Sequence, residues 1–277
     1  MSEYEYYEFR ALDRPLTTGD QHELRAISSR ATITNRSFTN YYSFGSFMGD
    51  PDEFMERWFD LHLYFANWGT RVVKIRMPVS RIPKETLHRF VRGLDGVEYW
   101  YSGDNLILTV TREIDDDEDD SWMLDQLQLL ADLAPLRDDL IGGDYRLLYL
   151  AWLMGLDDGA YQDDVPEPMP GIGPLTPALA AFAEFFRIDP DLVAVAAERP
   201  AASEAATSDD AQAVIAALPE DAKTALLIRA LDRDPLLASD LAALVRTSVA
   251  LKSGTPDGAR PRAVGDLLAA ARARRMR

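Results

Sequence analysis

The strongest constraint on this chain is the change in hydrophobic pattern at the acidic run EIDDDEDD, residues 113–120. Before the run, short segments with alternating apolar and polar residues, typical of half-buried strands, are separated by segments of helical periodicity. After it, from Ser121 onward, only helical periodicity recurs. The sequence therefore predicts the α+β class. It indicates an N-terminal mixed β-sheet with helices (β-α-β-α-β-α-β-β), followed by an all-α helical bundle or short helical-repeat array.

The N-terminal part contains several strand signals. We expect strands at residues 4–12, 37–44 and 71–78, and a hairpin at 97–110 whose turn is Ser102–Asn105. Thr17 or Thr18 is expected to cap a first helix, with Asp20 or Gln21 completing a capping box. A short helix is expected at about 83–91.

The clearest predicted helix lies in GDPDEFMERWFDLHLYFANWGT, residues 49–70. Asp50 is a good N-cap, and Pro51 suits the first helical position. Gly69 is expected to end the helix. The apolar residues that would form one helical stripe are Phe54, Trp58, Leu61, Phe65 and Trp68.

These patterns divide the chain into segments. The predicted segments are an α+β domain at 1–112, an acidic connector at 113–120, a helical region at 121–199, a flexible linker at 200–210, and a C-terminal helical region with an Arg-rich end at 211–277. Asp144, Asp189 and Asp234 are each followed three residues later by Leu, at an interval of 45 residues both times. Helical-repeat arrays have such periods, but Asp is also a common helix N-cap, so both interpretations remain open.

Composition limits the possible functions. The formal net charge of −17 argues against general affinity for nucleic acid. The absence of Cys excludes disulfides and thiolate chemistry and fits a reducing compartment. The acidic, aromatic start does not resemble a signal peptide, and the apolar run at 147–156 is too short to span a bilayer. We expect an acidic bacterial protein of the cytoplasm that does not associate with membranes.

No established catalytic motif is present. The chain contains neither HExxH, GxSxG, GxGxxG nor a P-loop motif. Its histidines are His22, His62 and His88, and no two of them have metal-ligand spacing. His62 borders the predicted stripe, which favours a partly buried structural histidine over a catalytic base. We therefore expect no cofactor, no metal site and no catalytic residues.

The acidic run and the Arg-rich end are the candidate interaction sites. In the run, Asp115, Asp117 and Asp119 fail the calcium-loop pattern because the required Gly is missing. A solvated connector with a helix cap, a docking site for a basic partner and a divalent-cation site remain as interpretations. The basic candidates at the other end are Arg272, Arg274, Arg275 and Arg277. They can form a solvated helix end or pair with the acidic run.

Two further segments support alternative functions. The central loop carries Asp157, Asp158, Asp163 and Asp164, which suggest a carboxylate or divalent-metal-dependent enzyme. Basic residues between 71 and 92, or the C-terminal Arg tail, suggest nucleic-acid binding, against which the net charge argues.

Two stretches carry a resemblance. YYEFRALDRPLT with ELRAISSRATIT (6–34), and GDPDEFMERWFD with ANWGTRVVKIRMP (49–78), resemble the N-terminal part of a bacterial family with no assigned activity. This resemblance implies neither an activity nor a cofactor nor any site residue.

The sequence therefore favours a non-catalytic protein-binding or scaffold protein. Its partner is expected to be another protein, and a second copy of the chain is one candidate.

Overall fold

The computed structural model describes residues 4–43, 47–114, 129–201, 208–253 and 261–276. The chain divides into two compact units. The sheet unit comprises the described residues within 1–80 and 95–137, and the helical unit those within 81–94 and 138–277. This division differs from a single boundary after residue 112, because 81–94 belongs to the helical unit. The expected linker at 200–210 lies mostly outside the described residues.

The sheet unit is built on seven strands. They are β1 (Glu5–Arg10), β2 (Thr32–Ile33), β3 (Ser37–Tyr42), β4 (Leu61–Ala66), β5 (Thr70–Pro78), β6 (Val97–Ser102) and β7 (Asn105–Glu113), in the order β2-β3-β1-β4-β5-β7-β6. The α+β class is confirmed. The sheet, however, is not mixed, since every described strand pairing is antiparallel. The short connections β4–β5 and β6–β7 are hairpins, whereas parallel neighbours would need long crossovers.

The expected long helix at 51–68 is wrong beyond its first two turns. Helix α2 (Pro51–Arg57) begins as predicted at the Asp50 cap, but β4 then follows at Leu61–Ala66. Two of the presumed stripe residues, Leu61 and Phe65, instead point to one face of a strand, and the strand is buried on both sides. Gly69 is not a helix end. It forms the β4–β5 turn at φ 107°, where an added Cβ would lie 2.0 Å from the carbonyl oxygen of Ile114.

One face of the sheet forms a core with two helices. Helix α1 (Thr18–Ile27) begins with the expected Thr17–Asp20 capping box. Trp58, just after α2, donates from Nε1 to Oδ1 of Asp20 at 3.1 Å and so ties the two helices together. Phe9 and Phe54 lie at the centre of this aromatic core, with ring centroids 5.1 Å apart. The helices therefore cover one end of this face.

The remaining helices agree with the predicted all-helical pattern. They are α3 (Lys84–Val91), α4 (Leu129–Leu133), α5 (Pro135–Ile141), α6 (Arg146–Asp157), α7 (Pro177–Phe185), α8 (Pro190–Ala197), α9 (Ser208–Ala217), α10 (Glu220–Leu231), α11 (Leu237–Ser253) and α12 (Val264–Arg275). Helix α6 is buried along almost its whole length and packs against α3, α7 and α8. The start expected at Ser121 lies outside the described residues. Within the described ranges, no helix is both long and apolar enough to cross a bilayer.

Three similar helix junctions account for the Asp residues spaced at 45. The side chains of Asp144, Asp189 and Asp234 each accept a hydrogen bond from the backbone N–H two residues later. The preceding helix ends each time with paired backbone hydrogen bonds of the Schellman type, around a residue with positive φ. The positive-φ residues are Gly143, Arg187 and Arg233. The recurrence of Asp thus follows from how these helices end and restart.

Candidate interaction surface

Helix α10 carries an exposed apolar surface, here called the α10 face, formed by Thr224, Leu227, Ile228 and Leu231. None of the twelve residues of α10 is buried. Leu227 is 67% exposed, Ile228 53% and Leu231 82%. At 100° per residue these positions fall on one side of the helix. The α10 face is therefore a continuous apolar strip that the chain itself does not cover among the described residues.

The other side of α10 contacts its unit through partly buried residues such as Leu226 and through ion pairs of Arg229. Arg229 donates from Nε to Asp234 at 2.7 Å and also contacts Asp240, which lies on α11. The hydrogen bond from Arg229 lowers the pKa of Asp234. Burial opposes ionisation of Asp240, but hydrogen bonds from Arg229 and Arg81 outweigh it and lower the pKa of that carboxyl. These contacts fix which side of α10 faces outward.

The charges along α10 are polarised. Glu220 and Asp221 lie in the first turn, whereas Arg229 and Arg233 lie at and just beyond the end. Lys223 pairs with Glu220 at 2.8 Å within the first turn. Acids near a helix N-terminus and bases near its C-terminus suit the helix dipole. Asp232 and Asp234 also lie at the C-terminal end, and Arg229 pairs with Asp234 and Asp240, so Arg233 is the cation at this end that these pairs do not use.

The sequence predicts a helical region at 211–277 but does not single out this surface. The reason is that Leu226, which is only partly buried, directly precedes Leu227 and Ile228. The apolar residues therefore spread around the helix, and no single stripe marks an inner face. The number of apolar residues in α10 is larger than one buried face can accommodate. This excess is the sequence signal that indicates an exposed apolar surface.

Of the predicted interaction residues, the structure locates only some. Asp115, Asp117, Asp119 and Arg277 lie outside the described residues. Arg272 is exposed on α12. The other two predicted arginines meet acids on and beside α8. Arg274 Nε lies 3.5 Å from Asp191, and Arg275 contacts Asp189 and Asp191. Pairing of the Arg-rich end with the acidic run stays a prediction.

The predicted acidic loop is not assembled into a metal site in the described part of the chain. Asp157 and Asp158 end α6, and Asp163 and Asp164 lie further along the loop, all four exposed. The backbone oxygen of Asp163 accepts from the N–H of Gly265 at 2.9 Å. Among the described residues, no group of three or more His, Asp or Glu side chains is placed to hold a metal ion.

The basic segment 71–92 is divided between the two units. Arg71 and Arg76 are buried in the sheet unit, and Arg76 is paired with a carboxylate there. Arg81 belongs to the helical unit and contacts Asp240. The cluster seen in the sequence therefore does not correspond to a single exposed basic surface.

A buried charge network that the sequence did not reveal holds the sheet unit together. The fully buried Asp60 accepts from Arg76 Nη2 at 2.7 Å and from the backbone N–H of Leu12 at 2.7 Å. Arg137 donates to the carbonyl oxygen of Arg76 and to Asp13, both at 2.6 Å. Each buried charge is thus paired, as its cost of desolvation requires.

A second buried network anchors the C-terminal segment in the helical unit. The carboxylate of Glu167 accepts from Tyr149 Oη at 2.7 Å, from Arg262 Nη2 at 2.9 Å and from the Arg262 backbone N–H at 2.8 Å. Arg262 Nη1 also donates to the carbonyl oxygen of Val195 at 2.8 Å. Burial raises the pKa of Tyr149 above its usual range. Glu167 therefore links α6, α8 and the segment that leads into α12.

Comparison with protein-family models, curated proteins and solved structures gives no match to this chain. The resemblance of residues 6–34 and 49–78 to a bacterial family stays a prediction. Function must accordingly be inferred from the surfaces, charges and cavities of the molecule itself.

Proposed function

We propose that this chain is a non-catalytic binding protein, acting in the cytoplasm without a cofactor, and that it docks another protein chain on the α10 face. The observation that carries the proposal is a twelve-residue helix that buries none of its residues and exposes Leu227, Ile228 and Leu231. Contiguous exposed apolar surface with a polar rim is typical of a protein interface. A helix laid against such a strip would cover it by side-chain interdigitation.

A second copy of the same chain is the partner whose chemistry fits. In an antiparallel pair of α10 helices centred on Leu227, the acidic first turn of one copy lies opposite Arg233 of the other. Asp221 would then approach Arg233 of the second copy at both ends of the contact. A two-fold arrangement uses the same surface on both copies and closes without further growth. This arrangement covers the apolar strip and pairs Asp221 with Arg233 at the same time.

The expected association is modest. Fully burying a Leu or Ile side chain contributes about 1.5–3 kcal/mol, and each copy offers three that are more than half exposed. Association itself costs roughly 4–15 kcal/mol, so most of this gain is offset. We expect a dissociation constant on the order of 10 μM, weakened by salt.

Sedimentation equilibrium of the full-length protein, from about 1 to 300 μM, tests the proposal directly. Leu227→Glu places a charge in the centre of the α10 face and should give a monomer throughout this range. Ala225→Glu adds the same charge at an exposed position outside the face and should sediment like the wild type.

A charge exchange tests the antiparallel arrangement. Arg233→Asp places like charges opposite each other and should weaken the dimer about tenfold, whereas Asp221→Arg combined with Arg233→Asp should restore it. Asp tolerates the positive φ of residue 233 better than most residues. A wild type that stays monomeric, or a Leu227→Glu variant that dimerises normally, would remove the basis of the proposal.

A further inference from the structure

A cavity opens on the face of the sheet that α1 and α2 leave partly uncovered. It has a volume of about 260 Å³ and lies over β1, β4, β5 and β7, with the first turn of α2 at its rim. Its floor follows the strand register. Tyr7 pairs across strands with Tyr64, Tyr64 with Val72 and Val72 with Thr111, while His62 pairs with Lys74 in the next row. Residues directly opposite each other on neighbouring strands share one face, so these side chains converge.

His62 offers the cavity an acceptor. Its side chain is almost fully buried, and Nδ1 lies 3.0 Å from the carbonyl oxygen of Glu8. A carbonyl oxygen only accepts, so Nδ1 carries the proton and Nε2 keeps its lone pair. In the described part of the chain, the hydrogen bonds of His62 involve Nδ1 alone. Burial lowers the pKa of His62 to about 3, which keeps the imidazole neutral at physiological pH.

Lys74 offers the cavity a donor beside that acceptor. Its side chain is only 12% exposed, and Nζ donates to Asp52 at 2.7 Å and to Thr109 at 3.3 Å. An ammonium group has three N–H donors, and Nζ also lies 5.2 Å from the centroid of the Trp100 ring. The third donor can therefore turn from this ring to a ligand. The pair with Asp52 neutralises the charge of Lys74. Directly opposite strand positions place the Cβ atoms of His62 and Lys74 about 5 Å apart.

Apart from Asp52 and Thr111, the rest of the lining is mainly aromatic and aliphatic. The hydroxyl groups of Tyr7 and Tyr64 both donate to Oε1 of Glu5, at 3.3 and 3.0 Å. Their rings, with centroids 4.7 Å apart, therefore present carbon surface beside Val72. Aromatic side chains on a sheet favour flat ligands that stack on them. At about 30 Å³ per water molecule, the volume suits a ligand of roughly ten non-hydrogen atoms.

We propose that this cavity binds a small, neutral, planar cyclic amide, of the size and chemistry of a free nucleobase. The amide N–H would donate to His62 Nε2, and the adjacent carbonyl oxygen would accept from Lys74 Nζ. The ligand is neutral because Lys74, the cation among the lining residues that the structure describes, is already paired with Asp52. Neither the α10 face nor self-association takes part in this binding. The inference can therefore be tested independently of the proposed function.

The test is a titration of the full-length protein with uracil and with hypoxanthine, followed by NMR of ¹⁵N-labelled histidine side chains. Binding should shift the Nε2 resonance of His62 saturably, with a dissociation constant on the order of 0.1–1 mM for such small ligands. The exposed His22 and His88 serve as internal controls that should not shift. The probe 1,3-dimethyluracil keeps the shape and carbonyl groups but lacks N–H donors, and it should bind at least tenfold more weakly.

A matched pair of variants tests the donor. Lys74→Met should weaken binding at least tenfold, while Lys84→Met, which removes an exposed lysine of α3, should leave it unchanged. The His62 resonances of ligand-free Lys74→Met show whether the sheet unit is folded. The proposal is overturned if neither base shifts His62 at about 10 mM. It is equally overturned if 1,3-dimethyluracil binds as tightly as uracil, because the donor and acceptor would then have no role.

Discussion

Replacing Glu167 by Gln should selectively loosen the C-terminal helix. The carboxylate of Glu167 is fully buried and accepts from Tyr149 Oη and from both the side chain and the backbone of Arg262. Gln has almost the same shape, but it removes the negative charge and turns an N–H₂ group toward these donors. Arg262, which is largely buried, is then left without a counter-charge.

The size of the effect follows from this geometry. Removing one member of a buried ion pair costs about 3–5 kcal/mol. Gln keeps one acceptor oxygen, and a retained hydrogen bond contributes about 1 kcal/mol, so we expect about 2–4 kcal/mol. The apolar contacts of α12 through Val264, Leu267 and Ala271 remain. The loss should therefore appear as an increase of about 30- to 900-fold in the opening of α12.

Hydrogen exchange read by mass spectrometry measures this opening segment by segment. Peptides covering α12 should exchange faster in Glu167→Gln, whereas peptides from β5 in the sheet unit should be unchanged. Glu198→Gln is the matched control, because its side chain is 62% exposed and lies 3.9 Å from Arg274. Exposed pairs contribute about 0–1 kcal/mol, so the control should change little.

The outcome that would refute this reasoning is equal exchange of α12 in the two variants. A second variant tests whether the unpaired cation of Arg262 is the cause of the faster exchange. Arg262→Met combined with Glu167→Gln removes the unpaired cation, so it should exchange more slowly in α12 than Glu167→Gln alone. If the double variant is worse than the single one, burial of an unpaired charge is not what the Gln substitution introduces.

Three further outcomes are expected. Because the folded-state pKa of His62, about 3, lies below its unfolded value, its contribution to stability is present above pH 6.5 and is lost as the pH falls toward 3. The free energy of unfolding of the sheet unit, measured in urea, should therefore fall by up to about 1 kcal/mol for each pH unit between pH 6 and 4. His62→Gln should reduce this pH dependence. Asp60→Asn should destabilise the sheet unit by about 3 kcal/mol in the same assay, since it breaks a buried ion pair. Asp189→Ala should cost about 1 kcal/mol through loss of the α8 cap. Arg275→Ala removes only an exposed cation and should change the hydrogen exchange of α8 little.

The features that were predicted from the sequence are those fixed by residues close in the chain. The Thr17–Asp20 box and the Asp50 cap involve residues two or three apart, so the chemistry that forms them is visible in the sequence. The same holds for the helices after residue 129, whose start signals are mostly Asp, Thr or Pro. Here local physics and the folded structure agree.

The incorrect prediction of helix at 58–68 shows where local sequence preferences do not determine the structure. Leu61 and Phe65 are four residues apart, a spacing that fits a helical stripe and also one face of a strand. The strand forms because β1 and β5 pair with it on both sides. Because the strand is buried on both faces, His62 is buried as well. A strand that is buried on both faces has no alternation of apolar and polar residues, so the sequence does not identify it as a strand.

The candidate sites were hidden for a related reason. His62 and Lys74 meet only through the register of two strands, and Glu167 meets Arg262 across 95 residues of chain. Nothing in either sequence neighbourhood distinguishes these residues from exposed polar ones. A buried ion pair is specified by the tertiary packing that encloses it, and the spacing of its members carries no information about that packing.

The contrast between α12 and α10 shows what the helical unit does and does not stabilise by itself. Helix α12 buries Val264, Leu267 and Ala271 and is tied in by the Glu167 network, so its apolar side chains are already removed from water. Helix α10 has no fully buried residue, and the pairs of Arg229 that help to attach it are partly exposed and therefore weak. Water exposure of the α10 face is unfavourable by several kcal/mol relative to burial. That free energy is released only when another surface covers the face, so α10, unlike α12, gains stability from a partner.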